Sequence, residues 1–332
     1  MNSKWNVMTP FLFPGWRSRK ERIMKKKLVS SLLVLSMAAT LFAGCGSGKE
    51  TDTSGEAQTT GEGTETKETG EGGNYEEKKV LRVAMECAYA PFNWTQETED
   101  VPNGDKAVKI ANSDGYAWGY DVKTAQMLAD ALGWELEIYK TEWSAIVMGL
   151  DANDYDCIIG GMCYSEERDE TLDFTTPYYL RDVVLTVKDD GPYADVTDVS
   201  EFDGKNPTVT TQLGTNFPNY YPLIPTAVEG TQYETTSEVF MAVKSGTADI
   251  SVIDYPTSKS AVGTMSGLKI LDIDLPCPEA NSNDVCIAVR EGDTELKELL
   301  QGALEECGWT TDNKDKFDAQ MDEMIEVQPS SN

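Results

Sequence analysis

The sequence contains no histidine, which removes several chemistries at once. A Ser-His-Asp triad, a His-paired cysteine nucleophile and a zinc site with imidazole ligands are all excluded. The stretch that stands out instead is GGMCYSEERDETLDFTTPYY, Gly160 to Tyr179. It gathers two glycines, a cysteine, an isolated arginine and four aromatics. Arg168 has the most to offer, because a guanidinium is a planar, always-charged fork that meets a carboxylate two hydrogen bonds at a time. Locally, that carboxylate can belong either to a ligand or to the neighbouring Glu166, Glu167 and Asp169. Gly161 falls where an apolar strand runs out. A missing side chain there either lets a ligand approach the backbone or simply makes a turn.

Six cysteines follow Cys45: Cys87, Cys157, Cys163, Cys277, Cys286 and Cys307. None forms C-x-x-C, and an all-cysteine metal site would need four to converge from scattered positions, so no metal is expected. Cys87 and Cys157 sit in apolar strands and read as small core residues. Outside the cytoplasm Cys277 and Cys286 are one disulfide candidate; free thiols are the alternative.

The elements that must position these residues alternate. LRVAMECA is a strand candidate. GYDVKTAQMLADALG sets Val122, Ala125, Leu128, Ala129 and Leu132 on one helical face and stops at Gly133. WELEIYK reads as a strand, WSAIVMGLDAND as a short helix and DCIIGG as a strand. That β-α-β-α-β order predicts a mostly parallel sheet covered by helices. A second set follows: YYLRDVVLTVK extended, PTVTTQL a strand, and a helix over 238–244 turning Val239, Phe240 and Val243 inward. DISVIDY and LKILDI are strands, VCIAVR is extended, and DTELKELLQGALEECG and KFDAQMDEMIEV are helices. The expectation is two α/β lobes with the chain crossing twice, near 178–182 and 285–287.

The 332 residues carry 28 basic and 57 acidic side chains, a formal charge of −29. Residues 1–45 hold eight basic residues and one acid, which leaves 20 basic against 56 acidic beyond them, a net of −36. Such a surface repels phosphate backbones, so no nucleic-acid partner is expected. At the N-terminus Lys25, Lys26 and Lys27 precede the apolar run LVSSLLVLSMAATLFA, which ends at Gly44–Cys45. A basic region, a short apolar region and small residues are the grammar of a secretory signal, over 1–44, with Met24 a candidate true start. The ending LFAGC resembles the lipobox of bacterial lipoproteins, which implies lipidation at Cys45. Residues 45–79 are Gly, Ser, Thr and Glu with almost no apolar side chains, the composition of a flexible acidic tether.

In chain order, RVAMECAYAPFNW, GYDVKTAQMLADALG, GGMCYSEERDETLDFTTPYY, TTQLGTN, ADISVIDYP and IAVREGDTELKELLQGALEE resemble the polar amino-acid substrate-binding proteins of ABC importers, solute-binding family 3. The resemblance runs from about Val80 to Val327. It implies a two-lobed type II periplasmic-binding-protein fold, each lobe a central mostly parallel sheet flanked by helices. Lobe 1 would be 80–182 plus 288–332 and lobe 2 would be 183–287, closing on a ligand like a hinged clamp.

It also implies roles. Arg168 would clamp the ligand α-carboxylate. The Gly161 carbonyl and Asp254 would take the α-ammonium, though a strand-end Asp can equally cap a helix at Pro256. Thr215 and Asn216, after Gly214, would offer backbone N–H groups to the other side of the carboxylate, with Gln212 beside them. Tyr89 and Trp143 would wall the ligand side chain. Two departures stand out. Cys163 replaces the usual Ser or Thr, and a thiol is a weaker partner. A segment near 97–118, ending at Trp118, is absent from smaller members and would form either a pocket flap or plain surface. Glu86 matches a first-lobe acid that faces the ligand side chain, which leans the ligand toward arginine, lysine or ornithine, with glutamine or cystine second. An acidic ligand is disfavoured because these motifs show no spare basic residue.

The resemblance implies a monomeric, lipid-anchored receptor on the extracytoplasmic face of the cell membrane that delivers an amino acid to an ABC permease and needs no cofactor. The alternative is an enzyme on the same fold, dehydratase-like; beyond the clamp positions no acid–base pair stands out, so catalysis is not expected.

Overall fold

The computed structural model describes residues 75–278, 282–310 and 313–329. The signal-like segment, Cys45 and the tether up to residue 74 lie outside them. The described residues start at Tyr75, inside the stretch that the composition assigns to a tether. Helix α1 (Tyr75–Lys78) buries Tyr75 completely. Its ring stacks on Trp134 with centroids 6.3 Å apart, and its hydroxyl donates to Asp293 at 2.5 Å.

Lobe 1 is built on β1 (Val80–Met85). An excursion follows through β2 (Ala88–Tyr89), β3 (Asn93–Gln96), β4 (Val108–Lys109) and β5 (Tyr116–Trp118), a small antiparallel sheet in the order β2-β3-β5-β4. Trp118 is therefore neither flap nor plain surface, for it is buried in the lobe 1 core, while much of the segment before it is exposed. Helix α2 (Tyr120–Leu132) buries Val122, Ala125, Leu128 and Ala129, while Leu132 is half-buried. Gly133 ends the helix at φ 67°. Then come β6 (Glu135–Lys140), the short helix α3 (Ile146–Asp151) and β7 (Cys157–Ile158).

The stretch YYLRDVVLTVK is not one extended segment. It divides into the end of β8 (Leu172–Leu180) and β9 (Val183–Lys188), which belong to different sheets, with Arg181 and Asp182 between them. Lobe 2 continues through β10 (Thr208–Thr210), β11 (Val228–Glu229), helix α4 (Thr236–Ser245), β12 (Ile250–Asp254), helix α5 (Tyr255–Thr264) and β13 (Leu268–Ile270). Val239, Phe240 and Val243 of α4 are buried in the lobe 2 core. The chain re-enters lobe 1 in β14 (Asp284–Arg290) and ends in helices α6 (Thr294–Glu306) and α7 (Lys314–Val327). Residues 285–287 lie inside β14, where Asp284 and Val285 pair with Leu180 and Tyr179. The return crossing thus lies upstream of the expected position, between Ile270 and Asp284.

The two main sheets run β6-β1-β7-β14-β8 and β11-β10-β12-β9-β13. In each, the fourth strand runs against its neighbours, β14 in lobe 1 and β9 in lobe 2. These are the strands by which the chain arrives from the other lobe. The parallel strands finish at the cleft, so a strand that starts there must run the opposite way.

Candidate functional site: the cleft between the lobes

The carboxyl ends of the parallel strands converge on one cleft, the usual place for a ligand in an open α/β sheet. β1 leads to Glu86 and Tyr89, β7 to Gly161 and Cys163, and β10 to Gln212, Thr215 and Asn216. With Trp143, Arg168, Gly160, Arg181 and Phe217, these residues line the cavity. The free volume among them is only ≈ 10 Å³, about one water, so the lobes must part to admit an amino acid.

Contacts across the cleft hold the lobes together. Gln212 Nε2 donates to Glu86 Oε2 at 2.9 Å. Ser144 N donates to Glu234 Oε1 at 3.0 Å. Trp143 Nε1 and Arg168 Nη2 both donate to the Gly214 carbonyl, at 3.4 and 3.2 Å. The Tyr89 hydroxyl donates to Asp254 Oδ2 in a short hydrogen bond.

Arg168 is half-buried, with its guanidinium over the Trp143 ring at 5.7 Å. Its Nη1 donates to the Cys163 carbonyl at 2.8 Å. Among the described residues no ion pair joins it to a carboxylate, and Glu167 acts on it only at longer range. Burial and the like charge of Arg181 pull its pKa below the ordinary arginine value. Gly161 takes φ +69°, and a Cβ there would run into the Tyr89 ring, so only glycine allows this approach. Its N–H donates to Tyr178 Oη at 3.1 Å, and that hydroxyl donates to Asp121 at 2.7 Å. Glu86 is buried. Burial above all, with Glu234 and Glu238 nearby, pushes its carboxyl up to about 7.

Profile comparison matches residues 101–310 to the bacterial extracellular solute-binding proteins, family 3. The chain belongs to that family. It is 26% identical over 231 residues to the L-cystine-binding protein TcyJ of Escherichia coli K12, covering 69% of this chain and 78% of TcyJ. It is 26% identical over 284 residues to the L-cystine-binding protein TcyA of Bacillus subtilis 168, covering 85% and 92%. Among solved structures, an amino acid ABC transporter substrate-binding protein from Streptococcus pneumoniae bound to L-arginine superposes with a TM-score of 0.61 at 21% identity, over 76% of this chain and 97% of that one. The two lobes are those of a type II periplasmic binding protein.

In this family 3 solute-binding protein, nine of the ten residues singled out from the sequence line the cavity: Glu86, Tyr89, Trp143, Gly161, Cys163, Arg168, Gln212, Thr215 and Asn216. Asp254 does not. It is fully buried one layer back, where Oδ1 accepts from Thr257 N at 2.9 Å as the N-cap of α5 and Oδ2 accepts from Tyr89. Gly214 faces Arg168 with its carbonyl rather than an N–H. Cys163 is buried, and the group it offers Arg168 is its backbone carbonyl. Cys277 and Cys286 form no disulfide with each other. The sequence reading missed Arg181 and Phe217. The arginine lay in a segment read only as extended and crossing between lobes, yet it is a spare basic group in the cavity, and the argument against an acidic ligand loses its premise.

Proposed function

We propose that this protein is an extracytoplasmic receptor, anchored through a lipid on Cys45, that closes on a polar L-amino acid and delivers it to an ABC permease. The observation that carries the reading is Arg168, a half-buried guanidinium on an aromatic platform at the cleft, paired with no carboxylate among the described residues. A ligand α-carboxylate completes it. On opening, Asp254 and the Gly161 carbonyl become the acceptors nearest the place where the α-ammonium sits, with Tyr89 swinging off the carboxylate. Glu86 alone leans the ligand toward arginine, lysine or ornithine; Arg181 in the same cavity opposes that lean. Cystine is the second reading, favoured by the two cystine-binding relatives.

Isothermal calorimetry across the common amino acids tests the proposal. At least one is expected to bind, and Arg168→Met should weaken it by about 2–5 kcal/mol, the cost of losing one partner of a desolvated charge pair. Unchanged affinity in Arg168→Met, or no binding by any amino acid, overturns the reading.

A further inference from the structure

Four arginines lie among the described residues, and they fall into two kinds. Arg82 meets Asp156 at 2.6 and 3.2 Å and uses further N–H groups on the carbonyls of Asn153 and Asp154. Arg290 meets Asp293 at 3.2 Å and donates to the Tyr155 carbonyl at 2.8 Å. These are structural arginines with carboxylate partners. Arg168 and Arg181 face the cleft and have no carboxylate partner among the described residues.

Arg181 is the less satisfied of the pair. It is 5% exposed, and its contacts are long: 3.4 Å to Tyr89 Oη, 3.4 Å to the Gly161 carbonyl and 3.2 Å to Asn216 Oδ1. Its Nε has no hydrogen-bond partner among the described residues. A buried, unpartnered charged donor is costly, and this one lines a ligand cavity. Asp254 favours its charge from nearby, but among the described residues the two form no ion pair, and the Asp254 oxygens accept from Tyr89 and Thr257 instead. The two cleft guanidiniums sit side by side on the same two segments. Arg168 spans Cys163 and Gly214; Arg181 spans Gly161 and Asn216. Each has its own aromatic face, Trp143 for Arg168 and Phe217, at 4.6 Å, for Arg181. In the same cavity Glu86 Oε1 is a buried acceptor without a partner.

We propose that Arg181 is a second carboxylate subsite, so that the ligand is an amino acid with two carboxylate groups, one on Arg168 and the other on Arg181. The assignment rests on the amino-acid reading above. Glu86 then accepts from a ligand ammonium, and the lean toward a cationic side chain gives way. Glutamate, aspartate and cystine share this chemistry and differ in the span between their carboxylates.

Calorimetry on the purified protein with matched pairs separates the possibilities: glutamate against glutamine, aspartate against asparagine, and cystine against S-methylcysteine, with arginine alongside. At least one diacid should bind about tenfold or more tightly than its single-carboxylate partner. Arg181→Gln should erase that preference, weakening the diacid about tenfold or more while the partner changes by less than about threefold. The wild-type ratios stand even if Arg181→Gln fails to fold. Tightest binding of glutamine, asparagine, S-methylcysteine or arginine overturns the assignment and leaves amino-acid binding intact. Equal loss for both members of a pair in Arg181→Gln also overturns it, because both arginines would then share one carboxylate. No binding by any of them overturns the assignment, and only failure of the full amino-acid screen as well removes the parent reading.

Discussion

At the scale of single residues, the cleft couples its chemistry to pH through Glu86. Its folded pKa of about 7 lies above the ordinary 4.5, so the folded, closed protein holds a proton that the unfolded chain releases. The stabilisation is full below the unfolded value and is lost as pH rises through about 7. A shift of this size corresponds to roughly 3 kcal/mol. Glu86→Gln should therefore flatten the fall in urea midpoint between about pH 5 and 8. A smaller slope should remain, because burial also raises Asp121 to about 6. An unchanged pH profile in Glu86→Gln would show that Glu86 ionises freely. The residue scale also shows what a sequence can and cannot reveal. Arg168 and Gly161 stood out by type and place, but only the family resemblance chose between a ligand role and a plain ion pair or turn. Arg181 did not stand out, since the expected crossing near 178–182 says that the chain changes lobes there but not that a side chain on the crossing turns into the cleft.

At the scale of elements, the helix stripes were the easiest to read. α2 buries four of the five residues its periodicity names and α4 all three, because a 3.6-residue repeat of apolar side chains has one way to face a sheet. The small sheet β2–β5 was not legible, since its strands are two to four residues long and their pairing is decided by tertiary contact rather than pattern. Lys123 fastens its loop to the body, bonding Asp105 and Glu323 at 3.0 Å each. Helix α4 starts in a capping box made by Thr235 and Glu238, next to Glu234, which reaches across the cleft to Ser144 N. Thr235→Ala should cost about 1 kcal/mol, seen as a lower urea midpoint at constant slope. If the midpoint does not move, the cap contributes nothing.

At the scale of the whole molecule, the cleft's volume of ≈ 10 Å³ requires an opening motion for any amino acid to enter. The two inter-lobe passages, at Arg181–Asp182 and between Ile270 and Asp284, are where a hinge can act. Small-angle scattering should give a radius of gyration larger than that of this closed arrangement when no amino acid is present, falling on saturation. An unchanged radius on binding would place entry somewhere other than between the lobes.

The threading of the chain bears on how the molecule is made. Lobe 2's sheet is complete once β13 has left the ribosome at Ile270, whereas lobe 1's sheet lacks its fourth strand until β14 follows at 284–290. In the order β6-β1-β7-β14-β8, β8 has no neighbour to pair with before then. During synthesis, which proceeds from the N-terminus, the later half of the polypeptide can settle first, and the earlier half waits, its edge open, for a strand encoded a hundred codons downstream.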